Sequence, residues 1–162
     1  HFFKWFSFLI CTYIKSKVNR VKILISACLL GEKCKYNGKD NYNEKVVSFI
    51  KGNDIIPVCP ELAGGLSVPR YPCEIVGGHI IDSKGQNLDI KFNDGAIKCL
   101  NKATEERIDL AILQSRSPSC GVNQIYDGTF SHTIIEGNGI TAKLFLENDI
   151  LVLNEYNFHQ YL

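Results

Sequence analysis

Val21-Lys-Ile-Leu-Ile-Ser-Ala-Cys28 is a short apolar run rich in branched residues. A run of this length and composition reads as a buried strand. Working outward, Asn43 reads as a helix N-cap, with Val46, Val47 and Ile50 on one face and Gly52 as the stop. Residues 55–59 form the next buried strand, ended by Pro60. Residues 74–81 and 86–89 surround Asp82-Ser-Lys-Gly85 and read as a hairpin. Asp89 can cap a helix running to about Arg107, with Phe92, Ala96, Cys99, Leu100 and Ala103 inward. Residues 110–114 give a third short apolar strand, 140–148 a helix and 150–154 the last strand. Strands separated by helices favour βαβ crossovers and a parallel sheet. The expected fold is α/β: one parallel sheet with helices on both faces and a small hairpin.

The chain has 162 residues, 45 % hydrophobic and 22 % charged, with a net charge of +1. These are the proportions of one ordinary globular domain, and they exclude a coiled coil or a disordered tail. So small a net charge supplies no general field for nucleic acid or a membrane surface. Residues 1–20 differ from the rest. They carry Lys4, Lys15, Lys17 and Arg20 with no acid, and they are rich in aromatics; the full chain has 18 Lys+Arg against 17 Asp+Glu. The segment reads as an extension outside a domain of residues 21–162, with an interfacial helix as the alternative. Its longest uncharged run, residues 5–14, is too short for a spanning helix, which needs about 20 residues.

Seven cysteines at scattered spacings are too few for a disulfide scaffold and point to a reducing, cytoplasmic setting with metal-binding or reactive thiols. Cys28 and Cys59 fall at the carboxyl ends of the first two strands. Cys120 falls in Ser115-Arg-Ser-Pro-Ser-Cys-Gly121, just past the third. Ligands of open α/β sheets sit outside the carboxyl ends of the strands. If the three strands are neighbours, three thiols distant in sequence converge on one crevice. One such cysteine alone is more simply a small buried hydrophobe. Cys34 is either a fourth ligand or a nearby spare thiol; Cys99 reads as core and Cys73 as structural. No Cys-x₂-Cys or His-x₃-His pair is present, so the short-spacing zinc signature is missing. The four histidines stand at unrelated positions and read as surface residues. A dispersed all-thiolate set suits an iron–sulfur cluster, and three thiolates on four irons leave one iron open.

Two polar residues stand beside these cysteines. Glu61, in Cys59-Pro-Glu61, is either a proton-moving carboxylate or an exposed loop acid or cap. Ser117 is either a hydrogen-bond donor to substrate or cluster or a turn former before Pro118. Arg70 and Arg116 can hold an anionic group, but each reads rather as a surface salt-bridge partner.

Ser26-Ala-Cys-Leu-Leu-Gly31 with Cys34-Lys-Tyr-Asn-Gly38, Cys59-Pro-Glu-Leu-Ala-Gly-Gly-Leu66 with Pro69-Arg70, Ser115-Arg-Ser-Pro-Ser-Cys-Gly121, and Ile125-Tyr-Asp-Gly-Thr-Phe130 together resemble the 2-thiouracil desulfurase (TudS-type) family. The resemblance runs from about Val21 to Glu155, in order. It implies a compact Rossmann-like domain and a [4Fe-4S] cluster held by Cys28, Cys59 and Cys120. Glu61 then matches the acid–base residue and Ser117 the assisting hydroxyl. The implied reaction is non-redox desulfuration of a thiolated pyrimidine, free or as a nucleotide, to a uracil-type product and sulfide. Two readings from other classes remain: a non-catalytic zinc or iron–sulfur structural or sensor protein, and an enzyme using Cys120 as a sulfur-carrying nucleophile.

Overall fold

The computed structural model describes residues 20–161. The expectations for residues 1–19, Cys11 among them, lie outside that range. Four parallel strands make the central sheet: β1 (Lys22–Ser26), β2 (Asp54–Val58), β5 (Leu110–Leu113) and β8 (Val152–Asn154), in the order β2-β1-β5-β8. The register pairs Ile23 with Ile55, Ile23 with Leu110 and Ala111 with Val152. The first three strands are therefore adjacent, as the convergence of the cysteines requires. β2 is an edge strand, which explains how it tolerates Pro57.

Successive side chains on a strand point to opposite faces. Ile23, Ile25, Leu110, Ile112 and Leu153 pack on one face against Val46 and Ile50 of helix α1 (Glu44–Ile50). Leu24, Ala111, Leu113 and Val152 pack on the other against Cys99 and Ala103 of α3 (Asp89–Glu106) and Ala142 and Phe145 of α4 (Ile140–Glu147). Both faces are covered, so the inner strands β1 and β5 read as near-continuous apolar runs. Cys99 is core, as its helical position implies. Asn43 caps α1, its Oδ1 accepting from the Val46 N–H at 3.1 Å.

Four local features differ from the sequence reading. Asp89, expected to cap α3, is its first residue, and Leu88 stands at the N-cap. The hairpin turns at Gly77-Gly78, joining β3 (Cys73–Val76) to β4 (His79–Asp82), and not at residues 82–85. Gly77 and Gly78 have φ of +57° and +84°, the two left-handed positions that a tight two-residue hairpin turn needs. Across residues 82–85 only the single bridge Ile81–Asn87 forms. A second hairpin, β6 (Gln124–Tyr126) with β7 (Ile134–Glu136), was not expected. Finally, β2 stops at Val58, and Cys59 instead N-caps a short helix, α2 (Pro60–Ala63).

α2 and α3 touch backbone to backbone. A Cβ on Gly64 would lie 2.0 Å from the Lys91 carbonyl oxygen, and one on Gly95 would lie 1.9 Å from that of Pro60. Only a pair of glycines permits this contact, and it fixes the turn that presents Cys59 and Glu61. No helix among the described residues is long and apolar enough to cross a membrane.

Candidate active site

The carboxyl ends of β1, β2 and β5 open into a cavity of about 320 Å³. Three connections supply its walls: the 3₁₀ turn Ala27–Leu30 after β1, the start of α2 after β2, and residues 114–120 after β5. Each brings one cysteine, so Cys28, Cys59 and Cys120 all line the same space. Cys34 lines it too and packs with Cys28 and Cys59. Cys73, expected to be structural, also reaches the wall.

Four of these thiols, Cys34, Cys59, Cys73 and Cys120, are pushed toward the neutral form. Cys34 is pushed up to about 11, first by its hydrogen bond with Cys28. Cys59 rises through its hydrogen bond with Cys34 and then through burial. Cys73 is pushed up to about 12 by burial and then by the Glu61 carboxylate. Burial also raises Cys120 well above its ordinary value, against a hydrogen bond from Ser26 that lowers it. A nucleophilic cysteine needs the opposite, a cationic or helix-end setting that lowers the thiol. Cys120 therefore lacks the environment of a free sulfur-carrying nucleophile. Binding a cation would instead displace the thiol protons.

The three expected ligands are all thiols. Among the described residues no three Cys, His, Asp or Glu side chains are arranged to hold a single metal ion. A lone zinc needs its ligands converging at about 2.0–2.3 Å. Thiols spread over three separate loops around one cavity fit a multi-iron cluster, whose irons are themselves separated.

Glu61, on the first turn of α2, is neither an exposed loop acid nor a cap; its side chain is 16 % exposed. Arg70 grips it with two nitrogens, Nε donating to Oε2 at 2.7 Å and Nη2 to the same oxygen. The remaining guanidinium bonds go to the carbonyl oxygens of Cys34 (3.0 Å) and Ser67 (3.0 Å). The expectation of a surface salt bridge for Arg70 fails: its side chain is 7 % exposed, because the chain after Pro69 folds back over the cavity. Ser117 forms the turn before Pro118 and also reaches Glu61. Its Oγ accepts from the Ser119 and Cys120 N–H groups, each at 3.0 Å, which closes the turn, and donates to Glu61 Oε1 at 3.3 Å.

Further residues complete the wall. Tyr126 and His132 sit at the wall, their rings 5.9 Å apart edge to face. The loop between them is anchored by Glu74, whose Oε2 accepts from the Gly128 and Phe130 N–H groups at 2.9 and 3.0 Å. Glu155 fixes the loop after β5, accepting from the Ser115 N–H (2.9 Å), Ser115 Oγ (2.5 Å) and Gln114 Nε2 (2.7 Å).

Known proteins are similar to this chain. The uncharacterized protein YbbK of Bacillus subtilis (strain 168) is 37 % identical over 150 residues, spanning 86 % of this chain and 99 % of that protein. A solved structure of TudS, a [4Fe-4S]-dependent thiouracil desulfidase, superposes with a TM-score of 0.82 at 33 % identity, covering 87 % of this chain and 95 % of that one. The family model described as 2-thiouracil desulfurase matches residues 23–157, which takes in every strand of the central sheet and all three cysteine loops, and the chain belongs to that family.

Proposed function

We propose that this protein is a thiouracil desulfidase: it hydrolyses the C=S bond of a thiolated pyrimidine, giving the C=O product and sulfide. The observation that carries the reading is Glu61, clamped by Arg70 on one oxygen and facing Ser117 with the other, on the wall of the cavity that Cys28, Cys59 and Cys120 share. The family and the likeness to TudS support the substrate class and a [4Fe-4S] cofactor. Cys28, Cys59 and Cys120 would hold the cluster. When bound, it supplies a soft Lewis acid that polarises the thiocarbonyl.

The chain's own residues account for the proton chemistry. Arg70 occupies Glu61 Oε2 and leaves Oε1 to take a proton from water. The water oxygen bonds to the ring carbon and the C–S bond breaks. Glu61 returns the proton to the sulfur departing as HS⁻, and the remaining hydroxyl proton passes to solvent as the C=O forms. One water is consumed and no net electrons move. Ser117 Oγ, anchored by two backbone N–H groups, can turn its hydroxyl from Glu61 toward charge developing on the ring. The thiol–thiol contacts of Cys34 make it a neighbour of the ligands, and we assign it no step.

The test uses anaerobically prepared, iron-loaded protein incubated with 2-thiouracil, with uracil and sulfide measured together. Equal amounts of both are expected. Glu61→Gln keeps shape but removes the titratable carboxylate, so turnover should fall by about 10²–10⁴-fold at unchanged iron content. An iron-loaded Glu61→Gln protein turning over at the parent rate removes Glu61 from the mechanism.

A further inference from the structure

Asn41 belongs to none of the stretches that carry the family resemblance, yet it is bound twice to Cys28. Its backbone N–H donates to the Cys28 carbonyl oxygen at 2.9 Å. Its side-chain Nδ2 donates to Cys28 Sγ at 3.8 Å, an ordinary reach for a hydrogen bond to the larger sulfur atom.

The backbone fixes this placement. Two residues on, the Asn43 N–H donates to the Leu29 carbonyl oxygen at 3.0 Å, while the Asn43 side chain caps α1. Residues 41 and 43 are thereby tied to the 3₁₀ turn Ala27–Leu30, and Asn41 stays with the turn that carries Cys28. Asn41 is half-buried at the cavity wall and Cys28 is buried. A leucine of similar size would cover the sulfur equally well by packing alone. An amide is needed there only if its N–H is used. A cysteine that ligates iron is a thiolate, which accepts hydrogen bonds and donates none, so it meets the amide at the nitrogen.

We propose that Asn41 is a positioning residue of the iron–sulfur site: its Nδ2–H donates to the Cys28 thiolate, holds that ligand in place and draws charge off it. The inference rests on Cys28 as a cluster ligand and, for its bearing on turnover, on the thiouracil reading. Partners behind the ligands orient them, and hydrogen bonds to ligating sulfurs set a cluster's potential. A donor at the sulfur lowers the electron density that the thiolate lends to iron. The reduced cluster, richer in negative charge, is stabilised more than the oxidised one, so the potential rises. The same withdrawal makes the irons stronger Lewis acids. For a hydrolysis without net electron transfer this second effect is the useful one, because the thiocarbonyl is polarised more strongly.

The experiment compares the anaerobic, iron-loaded parent with Asn41→Leu, Asn41→Ala and Asn41→Asp. It reads the reduction potential by voltammetry, the rate of iron loss to bipyridine, and sulfide release from 2-thiouracil. Asn41→Leu and Asn41→Ala remove the donor, add no charge and keep the backbone N–H. In both, the potential should shift negative, kcat should fall, and iron should be lost about 10–100-fold faster. Asn41→Asp sets a carboxylate against the thiolate and should move all three readings further in the same direction. A parent-like potential in either neutral variant overturns the proposal, even where Asn41→Asp is shifted, since added charge alone would do that. Full iron retention in Cys28→Ser overturns it together with the ligand assignment. The expected shifts with no sulfide release from the parent uphold the role of Asn41 and overturn the thiouracil reading.

Discussion

Gly95→Ala sets two effects of opposite sign against each other. Gly95 lies inside the 18-residue helix α3, where alanine is favoured over glycine by about 0.8–1.0 kcal/mol. On propensity alone the variant gains stability. The new Cβ, however, would stand 1.9 Å from the Pro60 carbonyl oxygen, 2.9 Å from the Pro60 carbonyl carbon and 3.0 Å from the Gly64 nitrogen. All three are backbone atoms, so no side chain can swing away. Restoring an ordinary contact means parting α2 from α3 by roughly 1.5 Å in an interior packed at crystal density. Overpacking of this kind costs typically about 1–3 kcal/mol, and a backbone clash belongs at the upper end. The net expectation is a loss of about 2 kcal/mol, read as a lower urea midpoint at unchanged slope. The strain falls on the turn carrying Cys59 and Glu61, so turnover should fall as well; a displacement near 1 Å can cost about 10²-fold. A Gly95→Ala protein as stable as the parent, or more so, would show that the close helix contact does not control this region.

Asp89 offers a pH test. Its carboxylate accepts from the Ile80 N–H (2.7 Å), His79 (2.7 Å) and Asn87 (3.0 Å), and these bonds, the backbone one foremost, hold its carboxyl below the usual range. A depressed carboxyl stabilises the fold fully above its unfolded value, and that contribution is lost as pH falls through the folded value. Asp89→Asn should therefore lower stability at neutral pH and flatten its decline in acid; an unchanged acid limb in urea titrations would refute this. Arg70→Lys keeps the charge but cannot span Glu61, Cys34 and Ser67 together. Turnover should fall by about 10–100-fold with KM little changed, the loss of one to two charge-assisted bonds; parent-like kcat would mean Glu61 needs no such clamp.

The sheet was legible because its inner strands β1 and β5 are short buried apolar runs and the helices between strands favour parallel crossovers; that the strands bearing Cys28, Cys59 and Cys120 are neighbours came from the structure. The hairpin was misread for a physical reason. Asp82 does make a turn, its Oδ1 accepting from the Lys84 and Gln86 N–H groups, but the Gly77-Gly78 turn has the backbone geometry that lets four residue pairs zip. The β6–β7 pair was invisible because Ile134–Glu136 is exposed throughout and has no alternation to read. Within the site, spacing drew attention to Glu61 and Ser117. It carried nothing of the Arg70 clamp, or of Gln114 held by Glu155 from 41 residues away.

The order of the strands also dictates when the site comes into being. Cys28 and Cys59 flank adjacent strands β1 and β2, yet the loop that brings Cys120 is secured only when Glu155, 40 residues past Ser115, takes hold of it behind β8. At translation speeds of about 5–20 residues per second, roughly 5–20 s separate the synthesis of Cys59 from that of Glu155. Through that interval the early thiols belong to a nascent chain without its third wall. Pairings between parallel strands so far apart in sequence close late and slowly. The cavity is thus a product of completed folding, and whatever loads it must reach a finished domain and not a growing chain.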